Sequence, residues 1–237
     1  MRRSDADTLR IAVFGDGLAK RIASGEIDAE FVIGVLEPYA SERRQEKMKR
    51  VFASRLASVT IVLDAIHDPH NGAALLRTSE AMGLAEVHVV ARGETFLAHA
   101  GVARGTHKWV KVSAHASGGE CVEALRASGH VMVATHPDGD MVPSDLAKLP
   151  KVALVMGNEH EGIAPDLREA CAHAVRVPMR GFAESLNVSV SGGILLSWAT
   201  QGRGGDLTAA EQRRLYARGL AVTVPNAPAL LERAAAG

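Results

Sequence analysis

From residue 58 to about 178 the chain alternates between two rhythms. Short β-branched runs, "SVTIVLD" (58–64), "EVHVV" (86–90), "HVMVATH" (130–136), "VALVMG" (152–157) and "AVRVP" (174–178), are bounded by turn residues and predict strands. Between them, "AALLRTSEAMG" (73–83), "GECVEALRASG" (119–129) and "APDLREACAHA" (164–174) carry apolar residues at three- to four-residue spacing, which predicts helices. Strand and helix in alternation predict an α/β domain with a mostly parallel sheet. Beyond it, Val188, Val190, Ile194, Leu195 and Trp198 recur at helical spacing, with Asn187 at the N-cap position.

Outside that region the period is helical throughout. Phe31 to Leu36 predict a short apolar helix ending before Pro38. "ERRQEKMKRVFASR" (42–55) places Met48, Val51 and Phe52 on one face and carries six Lys/Arg against two Glu. From 203, "RGGDLTAAEQRRLYARGLAV" predicts a helix capped at Thr208. The chain therefore divides into a helical N-terminal extension (1–57), an α/β domain (58–202) and a helical C-terminal tail (203–237).

Composition narrows the class. With 237 residues, 47% of them hydrophobic, the chain can bury one sizeable core with appendages. Its 27 basic and 27 acidic residues exclude a globally basic nucleic-acid coat, and leave room for a local patch. The apolar runs are too short and too often interrupted to span a bilayer, and "MRRSDADTLR" lacks the apolar core of a signal peptide. Cys121 and Cys171 fit neither a disulfide framework nor a cysteine zinc site, so a reduced cytoplasm is the expected compartment.

In open α/β sheets ligands bind beyond the carboxyl ends of strands. The loops there place Asn71, Arg77, Glu159, Ser185 and Asn187 where a site would form if the three segments converge. No strand is followed by a GxGxxG fingerprint, and no Walker A loop is present. His67 and His70 stand three apart in one turn without a cysteine or carboxylate pair, so no metal is expected. Arg43, Arg44, Lys47 and Arg50 of the basic helix, with Arg104, Lys108 and Lys111, are candidate phosphate contacts. Trp109 fits a core position better than a base-stacking one.

At the three loops the sequence resembles the SpoU family of RNA 2′-O-ribose methyltransferases. "DPHNGAALLRTSEAMGL" (68–84) is similar to the family's first motif, "LVMGNEHEGI" (154–163) to its second and "VPMRGFAESLNVSVSGGILL" (177–196) to its third. "RGTHKWVKV" (104–112) and the basic helix resemble the subfamily that methylates guanosine 18 in the tRNA D-loop. The resemblance implies a deep C-terminal trefoil knot and S-adenosylmethionine held against Met156, Gly157, Val177, Met179 and Leu186. It also implies tRNA as partner and a homodimer with a composite active site. Arg77 would act on the ribose hydroxyl, as its base or as a clamp on the neighbouring phosphate. Asn71 would orient Arg77 or the ribose, Glu159 would hold a loop or a partner arginine, and Ser185 and Asn187 would organise the third loop. Glu184 and the "SGG" run (191–193) depart from the family pattern, and the two glycines suggest close packing at a dimer interface. Ribosomal RNA, a tRNA anticodon-loop ribose, and a non-catalytic RNA-binding role are the alternatives.

Overall fold

The structure is a computed structural model and describes residues 17–92, 109–158 and 160–236. In chain order its helices and strands are α1 (Gly17–Ala23), α2 (Ala29–Leu36), α3 (Glu42–Ala53), β1 (Val59–Asp64), α4 (Pro69–Ala81), β2 (Glu86–Val90), β3 (Lys111–His115), α5 (Gly118–Ala127), β4 (Val131–Thr135), β5 (Val152–Met156), α6 (Pro165–Arg168), β6 (His173–Val175), α7 (Val188–Thr200), α8 (Ala209–Thr223) and α9 (Ala227–Ala236). They fall into two compact units: a sheet unit over Leu56–Arg203, and a helical unit joining residues 17–55 to 204–236.

In the sheet unit six strands line up in the order β3-β2-β1-β5-β4-β6, and every pairing is parallel. The central strands β1 and β5 are buried along their whole length, as expected of parallel strands covered on both faces. Fully buried side chains such as Ile61, Leu63 and Leu154 each contribute about 1.5–3 kcal/mol. On one face Val62, Val90 and Val155 pack under Cys121, Val122 and Leu125 of α5. On the other, Met156 meets the α7 backbone at Gly192. A Cβ on Gly192 would lie 2.3 Å from Leu75 Cδ2, so this glycine lets α7 lie against α4 of its own chain. Close packing there is thus intrachain; Gly193, with only Thr78 Cγ2 at 3.9 Å, is under no such constraint. Arg203 closes the unit by donating to the carbonyls of Ala199, Leu146, Leu149 and Pro150.

Two elements differ from the sequence expectation. β3 was not foreseen, because "KVSAH" has one fully buried residue, Val112; it pairs over five residues with β2 and ends the strand order, which makes it an edge strand. The helix expected over 164–174 stops at Arg168, after a single turn. Edge pairing overrides the helix propensity of the alanine-rich stretch: Ala172 N donates to Met132 O at 3.0 Å, and residues 173–175 continue as β6.

The helical unit is built from both chain ends. Asp28 caps α2 by accepting from Phe31 N, and Pro38 sits in a 3-10 turn that ends it. α3 buries Met48 and Phe52 against Gly219 of α8, where a Cβ would meet them at 3.0–3.2 Å. Thr208 and Glu211 form a reciprocal capping box on α8. Arg213 donates to both Glu30 carboxylate oxygens from two of its guanidinium nitrogens, Nε and Nη2, and Glu37 accepts from Tyr216 Oη and Lys49 Nζ, each at 2.7 Å.

Candidate active site

The site is assembled at the carboxyl ends of β1, β4, β5 and β6, where strand order and chain order part company. α4 starts just beyond β1, with Asp68 accepting from His70 N at 2.8 Å and Pro69 in its first turn. Asn71 is 8% exposed in that turn. α7 starts after the long segment that follows β6, and Asn187 Oδ1 caps it by accepting from Ser189 N at 2.8 Å and Ser189 Oγ at 2.6 Å. A backbone N–H can only donate, so the other end of that amide is the NH2, and Asn187 Nδ2 donates to Asn71 Oδ1 at 3.0 Å. One side chain therefore caps α7 and ties its mouth to that of α4.

Beyond β5 the chain makes a tight turn. Asn158 and Gly162 exchange backbone hydrogen bonds at 3.1 and 3.2 Å, Gly162 takes a φ of 71°, and Asn158 Oδ1 accepts from the amides of His160 and Glu161. A Cβ on Gly157 would lie 2.1 Å from the Gly162 carbonyl carbon. The family resemblance expects Gly157 against the cofactor; the loop's own backbone already requires a glycine there.

A third support was missed by sequence reasoning. Asp64, 1% exposed at the end of β1, accepts from Ala164 N at 2.8 Å and from Arg92 Nε at 2.7 Å; Arg92 also donates to Asp166 at 2.5 Å. Burial works against the Arg92 charge, but the bonds to Asp64 and Asp166 outweigh it and hold its pKa above the ordinary guanidinium value. Asp64 thus ties the far end of the 157–164 loop to β1. A charged residue closing a buried strand was the available signal.

These loops enclose a cavity of about 880 Å³. Met156, Gly157, Val177, Met179 and Leu186, the five expected cofactor contacts, all line it, as do Ser185 and Asn187. Thr135 and His136 from the end of β4 complete one wall. Asn71 is not part of the lining and is bonded to Asn187, which is; Arg77 is exposed on α4 and is not part of the lining either. Glu159, Arg104 and Lys108 lie outside the described residues. In the helical unit Arg43, Arg44, Lys47 and Arg50 all lie on α3 and are all exposed; Lys111, on β3, is exposed and pairs with Glu86 at 2.9 Å. Trp109 is half-buried.

A strand-end cavity lined by Met156, Val177, Met179 and Leu186 together with glycines and the Asn187 amide suits a ligand with an apolar part and a polar part. Comparison with known proteins narrows that chemistry. The family model described as "SpoU rRNA Methylase family" matches residues 58–197. The tRNA (guanosine(18)-2′-O)-methyltransferase of Escherichia coli K12 is 31% identical over 186 residues, covering 74% of this chain and 81% of the relative. The crystal structure of the A. aeolicus TrmH/SpoU tRNA-modifying enzyme superposes with a TM-score of 0.67 at 25% identity, over 77% of this chain and 98% of that one. An AdoMet-bound rRNA methyltransferase from Sinorhizobium meliloti matches with a TM-score of 0.54 at 28% identity, over 64% of this chain and 59% of that one.

Proposed function

Because the chain belongs to the SpoU rRNA methylase family, we propose that it transfers a methyl group from S-adenosylmethionine to the 2′-hydroxyl of guanosine 18 in the D-loop of tRNA. The observation that carries this reading is convergence: one cavity brings together Met156, Gly157, Val177, Met179, Ser185, Leu186 and Asn187, and Asn187 is bonded to Asn71. The relatives named as tRNA (guanosine(18)-2′-O)-methyltransferases support the substrate.

The cavity residues fit the cofactor, with Met156, Val177, Met179 and Leu186 against its apolar parts and Gly157 leaving backbone exposed to it. S-adenosylmethionine supplies an electrophilic methyl on a sulfonium sulfur. The protein's task is then to set the ribose oxygen in line and ease loss of its proton, and positioning alone can remove a large part of the barrier. A guanidinium is permanently charged near neutrality and is a poor base, so Arg77 acts best as a bidentate clamp on the phosphate beside the ribose, polarising the hydroxyl. Asn187 and Asn71 tie the two helix mouths to each other; Ser185 is assigned to organising the third loop and Glu159 to holding a loop or a partner arginine.

An exposed Arg77 apart from the cavity lining is what a site completed by a second copy requires. The homodimer has further support in α7, where Val190 and Trp198, two turns apart on one face, are 50% and 41% exposed. The trefoil knot at the third motif and a cytoplasmic location belong to the same reading. Among the described residues no helix is long and apolar enough to cross a membrane. Phosphate contacts are assigned to Arg43, Arg44, Lys47 and Arg50 of α3, with Arg104 and Lys108.

The test separates binding from transfer. Arg77→Ala keeps S-adenosylmethionine binding by calorimetry and loses methyl transfer to tRNA; full activity in the variant would remove Arg77 from the mechanism. A folded wild-type protein that does not bind the cofactor would overturn the cavity assignment.

A further inference from the structure

The sheet unit contains a second cluster of reactive side chains that the methyl-transfer site does not use. On the α5 side of the sheet, His88 of β2 and His115 of β3 project from adjacent strands two register positions apart. Their rings stack with centroids 5.1 Å apart, and His88 Nδ1 lies 2.9 Å from His115 Nε2. Over them sits Cys121 in the first turns of α5, fully buried. One nitrogen from each histidine and the Cys121 sulfur all lie within 4.8 Å of one another.

We propose that His88, His115 and Cys121 form a binding site for one zinc-class transition-metal ion, separate from the cofactor cavity. Two imidazole nitrogens and one thiolate are the donor set that a borderline-soft divalent ion prefers. Bonds of about 2.1 Å to nitrogen and 2.3 Å to sulfur set ligand atoms roughly 3.3–3.7 Å apart. The cluster reaches that spacing with a movement of about an ångström. A hydrogen bond between the two histidines accounts for the pair alone; it does not account for a buried thiol turned toward them. Cys171 makes the contrast, since its Sγ donates to Leu167 O at 3.2 Å.

The surroundings supply the outer shell such a site uses. With Nδ1 turned to the cluster, His88 presents Nε2 toward the Glu86 carboxylate, 3.9 Å away, and Glu86 is itself held by Ser113 Oγ and by Lys111 Nζ at 2.9 Å. A carboxylate behind the second nitrogen fixes the ring and strengthens it as a ligand. The role follows from position: β3 is an edge strand that buries little apolar surface, and an ion here would clamp β2, β3 and α5 together. Binding converts the Cys121 thiol to thiolate and releases its proton to solvent, with no change of oxidation state.

Cobalt(II) titration of the full-length, metal-stripped protein tests the site. One equivalent bound per chain, with a thiolate-to-cobalt charge-transfer band that zinc abolishes, is the expected result. Cys121→Ser loses the band, Cys171→Ser keeps it, and Glu86→Gln weakens binding by about 10–100-fold. Should Cys121→Ser fail to fold by circular dichroism, His115→Ala serves as the second variant and loses binding likewise. A folded wild-type protein that takes up no cobalt, or a band that survives in folded Cys121→Ser or His115→Ala, would overturn the proposal and leave a histidine hydrogen bond beside an inert thiol.

Discussion

Gly157→Ala tests how far the loop after β5 is fixed by its own backbone. The added Cβ would stand 2.1 Å from the Gly162 carbonyl carbon and 2.3 Å from both Gly162 O and Ile163 N. Uncrowded carbon neighbours begin near about 3.5 Å, so the backbone must withdraw by more than about an ångström. No flexible side chain can absorb that movement, because every one of these neighbours is main chain. The retreat breaks the two hydrogen bonds between Asn158 and Gly162, each contributing roughly 0.5–1.5 kcal/mol, and disturbs the buried Asn158 turn. The expected loss of stability is about 2–4 kcal/mol. Urea denaturation reads it as a lower midpoint at unchanged slope. Gly181→Ala is the control: it sits in the same cavity wall with nothing within 4 Å of its would-be Cβ, and should leave stability unchanged. A Gly157→Ala protein within about 0.5 kcal/mol of wild type would refute the reasoning, since that is the range of an unconstrained surface change.

Adjacent glycines in α7 should respond with opposite signs in the same denaturation assay. Gly193→Ala stabilises by up to about 1 kcal/mol through helix propensity, whereas Gly192→Ala destabilises by about 1–2 kcal/mol because overpacking against Leu75 outweighs that gain. Asp64→Asn removes one of the two charge partners of Arg92 and should weaken S-adenosylmethionine binding by loosening the 157–164 loop; unchanged affinity would reduce Asp64 to a local fold role. Changing Arg43, Arg44, Lys47 and Arg50 to Gln should weaken tRNA binding and flatten its salt dependence by about 0.7–0.9 in log–log slope for each phosphate no longer neutralised, read by filter binding at several salt concentrations. Hydrogen bonds from Lys49 and then Tyr216 hold Glu37 below the usual carboxylate range. Its stabilising contribution is therefore present above the unfolded-state pKa and fades as pH falls through the folded one. Glu37→Gln should flatten that acid limb of the stability curve.

What the sequence disclosed follows the strength of its hydrophobic signal. β1 and β5 read clearly because both faces are covered, so "TIVL" and "VALVM" are apolar almost without interruption. β3 escaped because an edge strand buries little, and its Lys111, Ser113 and His115 carry no apolar period. The 164–174 stretch misled because local helix propensity is weak against the ladder that Ala172 starts with β4. At the candidate site, the residues on the cavity wall were legible through motif order, and Asn187 through its capping position. The Asn187–Asn71 bond spans 116 residues and the Asp64–Ala164 bond 100, separations that no local pattern encodes. The His88, His115 and Cys121 cluster was equally invisible, because strand register, not sequence spacing, brings its members together.

The most direct test of the central claim is methyl transfer from labelled S-adenosylmethionine to an unmodified tRNA transcript, with the modified nucleotide mapped by mass spectrometry and a ribosomal RNA fragment run alongside. The account predicts 2′-O-methylguanosine at position 18 of the tRNA and none in the fragment. Methylation of the ribosomal fragment alone, or no transfer by a protein that binds both cofactor and tRNA, would contradict it.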